Sequence, residues 1–410
     1  MSRDWSLTPE KQESAVRRRI AEITPEEVPE RGPGDSPRVV FIAGQPGAGK
    51  TTTQDIVQRE LGESQVALYD GDENAMAHSN YEDIVRENPF DGHGIADQHL
   101  PDDAHQRYMN HLRSGETKYD MVVSHPLGKK EWAEAWTQGF SDEGYHTSVA
   151  FIATHESNSL LSTADRYQVS RDERGHGRWV ERETHDRFYN EIPDVAHHLE
   201  SRGLVDSMYV TTRDGELIYE NHKGADGQMV DPPGAREAII AERSRPPTQA
   251  ETDYFNSRVA YLSDKDRLGP EQEAEPISGR VADTRDGAAD LHERHRELSA
   301  DRETSERSDK GLSQSLRQQA ATDRQTPREQ APSEKEHTAP ESEPTPSHSE
   351  DVDTKLQKIQ AARETRGAPE SRSERKTPDL DRDRRRDAPE PGPGRESPDR
   401  SDPDRDGPEP

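Results

Sequence analysis

The chain has no cysteine and few large apolar side chains. Of its 410 residues, 27% are hydrophobic and 5% aromatic, and no Phe, Trp or Tyr follows Tyr261. The absence of cysteine excludes disulfides, thiolate metal sites and cysteine catalysis. The scarcity of apolar residues excludes a packed core along the whole length, because buried apolar surface must offset the lost chain entropy. We therefore expect one sizeable folded domain before Tyr261.

Long apolar runs and a signal-peptide pattern are also missing. No run approaches the roughly 20 residues that a membrane helix needs, and Met1–Ser6 lacks the apolar stretch of a leader. These absences predict a cytoplasmic protein without a membrane span. The net charge of −29 repels phosphate backbones and anionic lipids, so we expect neither nucleic acid nor membrane as a partner.

Strand and helix patterns alternate between residues 37 and 245. Such alternation predicts an α/β fold with a mainly parallel sheet flanked by helices. Before it, residues 1–36 form a predicted helical lead-in and linker, because Thr8 and Thr24 each precede a proline in the manner of a helix cap. The Asp214-Gly215 pair predicts a tight hairpin turn near the end of the sheet.

The composition changes after residue 245. Residues 246–302 are predicted to be a partly helical extension that holds the last aromatic side chains. Residues 303–410 are a charged stretch rich in Pro, Ser, Glu and Arg, and they predict a long disordered tail. This tail is either a solubilising extension or a segment that binds a partner.

A glycine-rich loop gives the clearest functional signal. The segment Gly44-Gln-Pro-Gly-Ala-Gly-Lys-Thr51 matches a complete P-loop, with an apolar strand before it and a helical pattern after it. Glycines let backbone N–H groups surround a phosphate, the lysine reaches the β- and γ-phosphates, and the threonine hydroxyl is a ligand for Mg²⁺. The sequence therefore predicts binding of ATP with Mg²⁺, with Thr51 as the metal ligand. The predicted nucleotide-binding residues are Gly44, Gln45, Pro46, Gly47, Ala48, Gly49, Lys50, Thr51 and Thr52.

Charged side chains later in the chain suit phosphoryl transfer. The strand pattern Val66–Tyr69 is followed by Asp70-Gly71-Asp72, and ligands of α/β proteins bind at the carboxyl ends of strands. Transfer to an alcohol needs a carboxylate that accepts the hydroxyl proton, and Asp72 is our choice. Arg166 and Arg178 are candidates to stabilise charge on the transferring phosphate, with Lys50 as the further catalytic group.

These motifs in this order resemble the zeta toxin family. The resemblance runs from about Leu7 to Asn221 and rests on Gly-Gln-Pro-Gly at the start of the P-loop and on Asp70-Gly71-Asp72 after the next strand. Its further matches are His78, Gly144-Tyr145, Ala164-Asp165-Arg166-Tyr167, Arg178 and His185-Asp186.

The resemblance implies a specific reaction. Zeta toxins transfer the γ-phosphate of ATP to the 3′-hydroxyl of the amino sugar of UDP-N-acetylglucosamine, which inhibits cell-wall synthesis, and an antitoxin blocks their nucleotide site. By this resemblance Lys50 and Thr51 hold ATP and Mg²⁺, Asp72 is the base, and Arg166 and Arg178 hold the transferring phosphate. A toxin–antitoxin partner is implied in the same way.

One segment departs from the family pattern. After the third strand the family has an acidic residue followed by Gly-Thr, whereas this chain has Ser124-His125-Pro126. The acceptor therefore stays open: UDP-N-acetylglucosamine, another nucleotide sugar, an antibiotic or another small alcohol. A weakly active nucleotide-binding interaction module is the remaining alternative.

Overall fold

The computed structural model of the protein describes residues 3–269 and 274–298. Its strands are β1 Arg38–Ala43, β2 Val66–Asp70, β3 Asp120–Ser124, β4 His146–Ala153, β5 Ser207–Thr212 and β6 Leu217–His222. Its helices are α1 Pro9–Ile23, α2 Lys50–Leu61, α3 Tyr81–Glu87, α4 Gly92–Gln98, α5 Ala104–Leu112, α6 Lys130–Ser141, α7 Glu156–Arg174, α8 Arg182–Ser201, α9 Ala235–Ser244 and α10 Gln249–Tyr261. Gly71–Ala77 forms a 3₁₀ helix, and residues 279–298 are also helical.

The six strands form one sheet in the order β2-β3-β1-β4-β5-β6. All neighbours are parallel except β5 and β6, which pair antiparallel. The hairpin between them turns through Gly215, whose φ is +81°, as the Asp-Gly pair predicts. The predicted mainly parallel α/β sheet flanked by helices is thus confirmed.

The central strands of the sheet are buried beneath helices. Every residue of β3 is buried, as is all of β4 after His146, which fits the apolar, β-branched composition of strands in a parallel sheet. Phe41 of β1 packs edge-on against Phe140 and Trp136 of α6, with ring centroids 5.5 and 5.9 Å away. This core fixes the carboxyl ends of β1, β2 and β3 side by side.

The predicted helix start at Thr24 is wrong. Thr24 instead ends α1, since its backbone N–H and its hydroxyl both donate to the Ile20 carbonyl oxygen, at 3.1 and 2.6 Å. Pro25 has no N–H to continue the helix. The sequence also gave no indication of α3, α4 and the 3₁₀ helix Gly71–Ala77, which are short and have weak periodicity.

A second apolar cluster joins the extension to the domain. Phe255 of α10 and Val281 of the helical residues 279–298 are buried beside Leu160 and Tyr167 of α7. Arg258 of α10 also pairs with Asp165 of α7. The extension therefore packs on α7 directly. The predicted tail 303–410 lies outside the described residues.

Candidate active site

The P-loop has the backbone that a phosphate site needs. It connects β1 to α2, and Gly47 and Gly49 have φ of +76° and +97°, a region that favours glycine. A Cβ on Gly47 would lie 2.0 Å from the Ser159 carbonyl oxygen. Gly49 is the N-cap of α2 and offers no side-chain cap to the first N–H groups of the helix. These N–H groups and the helix dipole make this end of α2 suited to bind an anion.

Side chains of the loop divide into supporting and accessible groups. Gln45 is fully buried, and its amide nitrogen donates to the Thr154 carbonyl oxygen at 3.0 Å. Its amide oxygen accepts from the Arg243 guanidinium at 2.9 Å, a contact that no sequence pattern indicated. Gln45 thus supports the loop from behind. Thr51 and Thr52, in contrast, are exposed on the first turn of α2.

Lys50 folds back over the loop. Its Nζ donates to the carbonyl oxygens of Gly44 and Gln45 at 3.1 and 3.5 Å. Burial lowers the pKa of Lys50 to about 8, and the nearby Arg166 lowers it further, against the opposing charges of Asp70 and Asp72. An ammonium that has lost hydration and has only carbonyl partners gains most from an arriving phosphate.

Asp72 lies at the carboxyl end of β2, in the 3₁₀ helix, and forms an ion pair with Arg178. Burial alone would raise the pKa of Asp72, but the Arg178 and Lys50 charges outweigh that effect and hold it below its usual value. The side chain is still 48% exposed. Asp72 is therefore an ionised carboxylate within reach of solvent.

Asp70 has a different environment from Asp72. Its carboxylate caps the 3₁₀ helix by accepting from the Asp72 N–H at 2.9 Å. Burial and the charge of Asp72 raise the pKa of Asp70 above its usual value. The two carboxylates thus differ in role: Asp70 shapes the turn, and Asp72 is presented by it.

The two predicted arginines meet at this edge. Arg166 lies on α7 and Arg178 in the irregular segment between α7 and α8, and their charges interact with each other and with Asp70 and Asp72. Within residues 3–269 and 274–298, Arg166 forms no ion pair with a carboxylate. One arginine is therefore paired with the candidate base, and the other is available for an anion.

His93 is a site residue that sequence reasoning missed. It lies on α4, and its Nδ1 is 3.1 Å from the Tyr81 hydroxyl. Burial and the Arg178 charge lower the pKa of His93 to about 4, although Asp72 opposes the shift. A neutral imidazole therefore stands beside the candidate base. Its short helix has too little periodicity to be found from the sequence.

His125 follows β3, where the departure from the family pattern lies. Its Nδ1 accepts the Leu127 N–H at 3.0 Å, and Leu127 has a φ of +46°. The ring lies 5.2 Å from the Trp136 ring. Burial lowers the pKa of His125 to about 4. The negative charge of Asp72 opposes this shift, and the positive charge of Lys50 adds to it. Because Nδ1 accepts, the proton of the neutral ring is on Nε2.

Two features are absent from the described residues. In the part of the chain that the structure describes, there is no group of three or more His, Asp or Glu side chains that could hold a metal ion. Among the same residues no helix is long and apolar enough to cross a membrane.

The sequence of this chain is similar to zeta toxins. Residues 25–224 match the family model described as Zeta toxin. Toxin PezT of Streptococcus pneumoniae is 25% identical over 188 residues, which cover 45% of this chain and 72% of PezT. Toxin zeta of Streptococcus pyogenes is 23% identical over 194 residues, which cover 46% of this chain and 64% of that toxin.

A solved structure shares the fold. It belongs to the PezAT chromosomal toxin–antitoxin system of Streptococcus pneumoniae and superposes with a TM-score of 0.51 at 20% identity. The match covers 63% of this chain and 98% of the other.

Proposed function

Because this chain belongs to the zeta toxin family through residues 25–224, we propose that it phosphorylates UDP-N-acetylglucosamine. ATP is the donor and the 3′-hydroxyl of the amino sugar is the acceptor, so that cell-wall synthesis is inhibited. The single observation that carries this proposal is the meeting of Lys50, Asp72, Arg166 and Arg178 at one edge of the sheet, beside the P-loop. Residues 37–245 are the proposed kinase domain.

The proposed transfer uses a distinct role for each group. The acceptor hydroxyl oxygen forms a bond to the γ-phosphorus while the bond from that phosphorus to the β-phosphate oxygen breaks, and ADP leaves. The hydroxyl proton passes to Asp72, whose lowered pKa keeps it ionised and ready. Lys50 binds the β- and γ-phosphates, and Arg166 stabilises the charge on the transferring group.

Arg178 must change partner in this scheme. In the structure its guanidinium is paired with Asp72, which would hinder proton acceptance. A γ-phosphate at the P-loop offers Arg178 a more highly charged partner, and phosphate suits the planar guanidinium. Donor binding would then free Asp72 for the acceptor, which couples the two halves of the site.

The residues present fit Mg²⁺. Thr51 is exposed on the first turn of α2, beside Lys50, whose charge interacts with the Asp70 and Asp72 carboxylates. Mg²⁺ prefers oxygen ligands and retains several waters, so one hydroxyl and the ATP phosphates suffice without a metal cluster. We propose Thr51 as the protein ligand; the ion would neutralise charge on the phosphates.

A second acceptor class is favoured by one observation. His125 and its turn occupy the position where the family has an acidic-Gly-Thr segment, and they lie within electrostatic reach of Asp72. A different nucleotide sugar, an antibiotic or another small alcohol is therefore the alternative substrate for the same machinery. The weakly active binding module is disfavoured by the intact Lys50 and Asp72.

An antitoxin partner and a cytoplasmic location belong to the same proposal. The solved relative comes from a toxin–antitoxin system, and a kinase that inhibits its own host's wall synthesis would need such control. ATP as donor favours the cytoplasm. Residues 246–302 are the proposed extension of the kinase domain, and the proposed tail 303–410 is a candidate segment for partner binding.

The test is product analysis with a panel of acceptors. Full-length protein is incubated with ATP, Mg²⁺ and UDP-N-acetylglucosamine, with UDP-glucose and free N-acetylglucosamine as matched alternatives, and the products are identified by mass spectrometry. We expect one added phosphate on UDP-N-acetylglucosamine that Lys50→Ala and Asp72→Asn abolish. Phosphate on another acceptor would favour the alternative, and no product with intact ATP binding would refute the assignment to UDP-N-acetylglucosamine in favour of an acceptor outside the panel or of the binding module.

A further inference from the structure

An arginine that the proposed mechanism does not use lies against the P-loop. Arg213 follows β5, and its guanidinium donates to the Gly47 carbonyl oxygen at 3.0 Å and to the Ser162 hydroxyl at 2.9 Å. A Cβ on Gly49 would lie 3.0 Å from the Arg213 Cγ. The Arg213 side chain thus forms one wall of the space next to the loop that holds the phosphates.

An aromatic ring of the extension lies close to Arg213. Tyr254 of α10 is 54% exposed, and the Arg213 Cζ lies 5.9 Å from the centre of its ring. This separation is at the outer limit of a cation–π contact, which is about 6 Å. Arg243 and Arg258 lie only 4.1 and 4.2 Å from the rings of Tyr189 and Tyr261 in the same protein.

A flat ring would fit between Arg213 and Tyr254 after a small movement of one side chain. Two aromatic contacts at about 3.5 Å each need roughly 7 Å between the outer groups. The Arg213 Cζ and the centre of the Tyr254 ring are 5.9 Å apart, so a base enters between them only if the exposed Tyr254 side chain moves outwards by about 1 Å. Exposed side chains change rotamer readily. A guanidinium on one face and a phenol on the other are both favourable partners for a purine.

The backbone that carries Tyr254 is well anchored. Thr248 and Glu251 form a capping box at the start of α10, and Glu251 also pairs with Arg245. The neighbouring Phe255 is buried and stacks on His292 at 4.0 Å. The ring of Tyr254 is therefore exposed on a fixed support, which is what a binding platform requires.

We propose that Arg213 and Tyr254 hold the purine base of the bound nucleotide between them. This inference rests on the proposed ATP site and extends it beyond residues 25–224, because α10 lies outside the part that matches the family. The triphosphate lies on Gly47–Lys50, and the base extends past Arg213 towards α10. In this proposal the extension contributes a nucleotide-binding residue, Tyr254.

The experiment compares two ligands that differ in the base. Binding of ATP and of inorganic tripolyphosphate is measured by calorimetry on the full chain and on Tyr254→Ala and Tyr254→Phe. Trp132→Ala is the control, since Trp132 is also an exposed aromatic ring, 45% accessible, with the Lys129 ammonium 4.5 Å above it. Stacking of one base corresponds to roughly a tenfold change in affinity.

We expect Tyr254→Ala to weaken ATP binding about tenfold and to leave tripolyphosphate binding unchanged, while Tyr254→Phe and Trp132→Ala behave like the original chain. Unchanged ATP affinity in Tyr254→Ala would overturn the proposal. So would an equal loss for both ligands, because it would indicate a structural effect on the P-loop. If the original chain binds neither ligand, the proposed ATP site itself is refuted, a distinct outcome.

Discussion

The proposed phosphate side and the proposed acceptor side of the site are built in different ways. The phosphate side is one continuous segment, Gly44–Thr51, in which backbone groups and glycine conformations do most of the work. The proposed acceptor side gathers Asp72, His93 and His125 from separate elements, and the charge of Asp72 acts on both histidines.

This contrast has a functional consequence. A phosphate site made of backbone N–H groups is insensitive to most side-chain changes and serves any nucleotide-dependent reaction. An acceptor site made of ionisable side chains is easily retuned by single substitutions. We therefore expect changes on the acceptor side to separate catalysis or acceptor choice from ATP binding.

The largest expected effect is that of Asp72→Asn. An amide cannot accept the hydroxyl proton, so kcat should fall by roughly 10²- to 10⁴-fold, while the dissociation constant for ATP changes little. Transfer kinetics and calorimetry measure the two quantities. Asp91→Asn is the control, since Asp91 is exposed and its side chain caps no helix. Near-normal turnover in Asp72→Asn would remove this residue as the base.

Arg166→Lys should cost about 10²-fold in kcat. Lysine keeps the charge but loses the planar pair of donors that matches phosphate geometry. Arg174→Lys, a change to an exposed arginine near the end of the same helix, should have no effect. Equal kinetics for the two variants would show that Arg166 does not contact the transferring group.

The pH dependence of ATP binding should show the titration of the Lys50 ammonium. Its pKa of about 8 in the free protein means that the ammonium is present below pH 8 and lost above it. ATP affinity should therefore fall as the pH rises, by up to about tenfold between pH 7 and pH 9, with proton uptake on binding at the higher pH. Calorimetry in buffers of different ionisation enthalpy measures both.

The matched variant for this test is Lys50→Met, which should bind ATP more weakly and lose the pH dependence. A pH profile in Lys50→Met that parallels that of the original chain would assign the titration to another group.

The smallest expected effect is that of His125→Asn. The asparagine carbonyl can still accept the Leu127 N–H, but the donor at Nε2 is lost. We expect the KM for the acceptor to rise three- to tenfold, as for one hydrogen bond, with an unchanged KM for ATP. If the KM for ATP rises equally, His125 supports the loop rather than the acceptor.

Features that lie within one continuous segment can be predicted from the sequence, whereas contacts between separate segments cannot. The P-loop is predictable because its chemistry requires glycines at fixed spacing in one segment. The position of Asp72 is predictable because it follows a strand at the carboxyl edge of the sheet. The order of strands and helices also followed from the periodicity of apolar residues.

Contacts between distant segments were not predictable. Arg243 donates to Gln45 although 198 residues separate the two in the sequence. The Arg178–Asp72 pair joins a loop to a 3₁₀ helix. His125 lies in a turn whose shape depends on the positive φ of Leu127, a residue type that rarely has this conformation. Such features arise from tertiary packing and leave no local pattern.

The most direct test of the central claim follows the γ-phosphate itself. ATP labelled in that phosphate is incubated with the full chain, Mg²⁺ and UDP-N-acetylglucosamine, and the label is traced by chromatography. The proposed reaction predicts label in the nucleotide sugar, dependent on Asp72, and little in inorganic phosphate. Label that remains in ATP, or that appears only in inorganic phosphate, would contradict it.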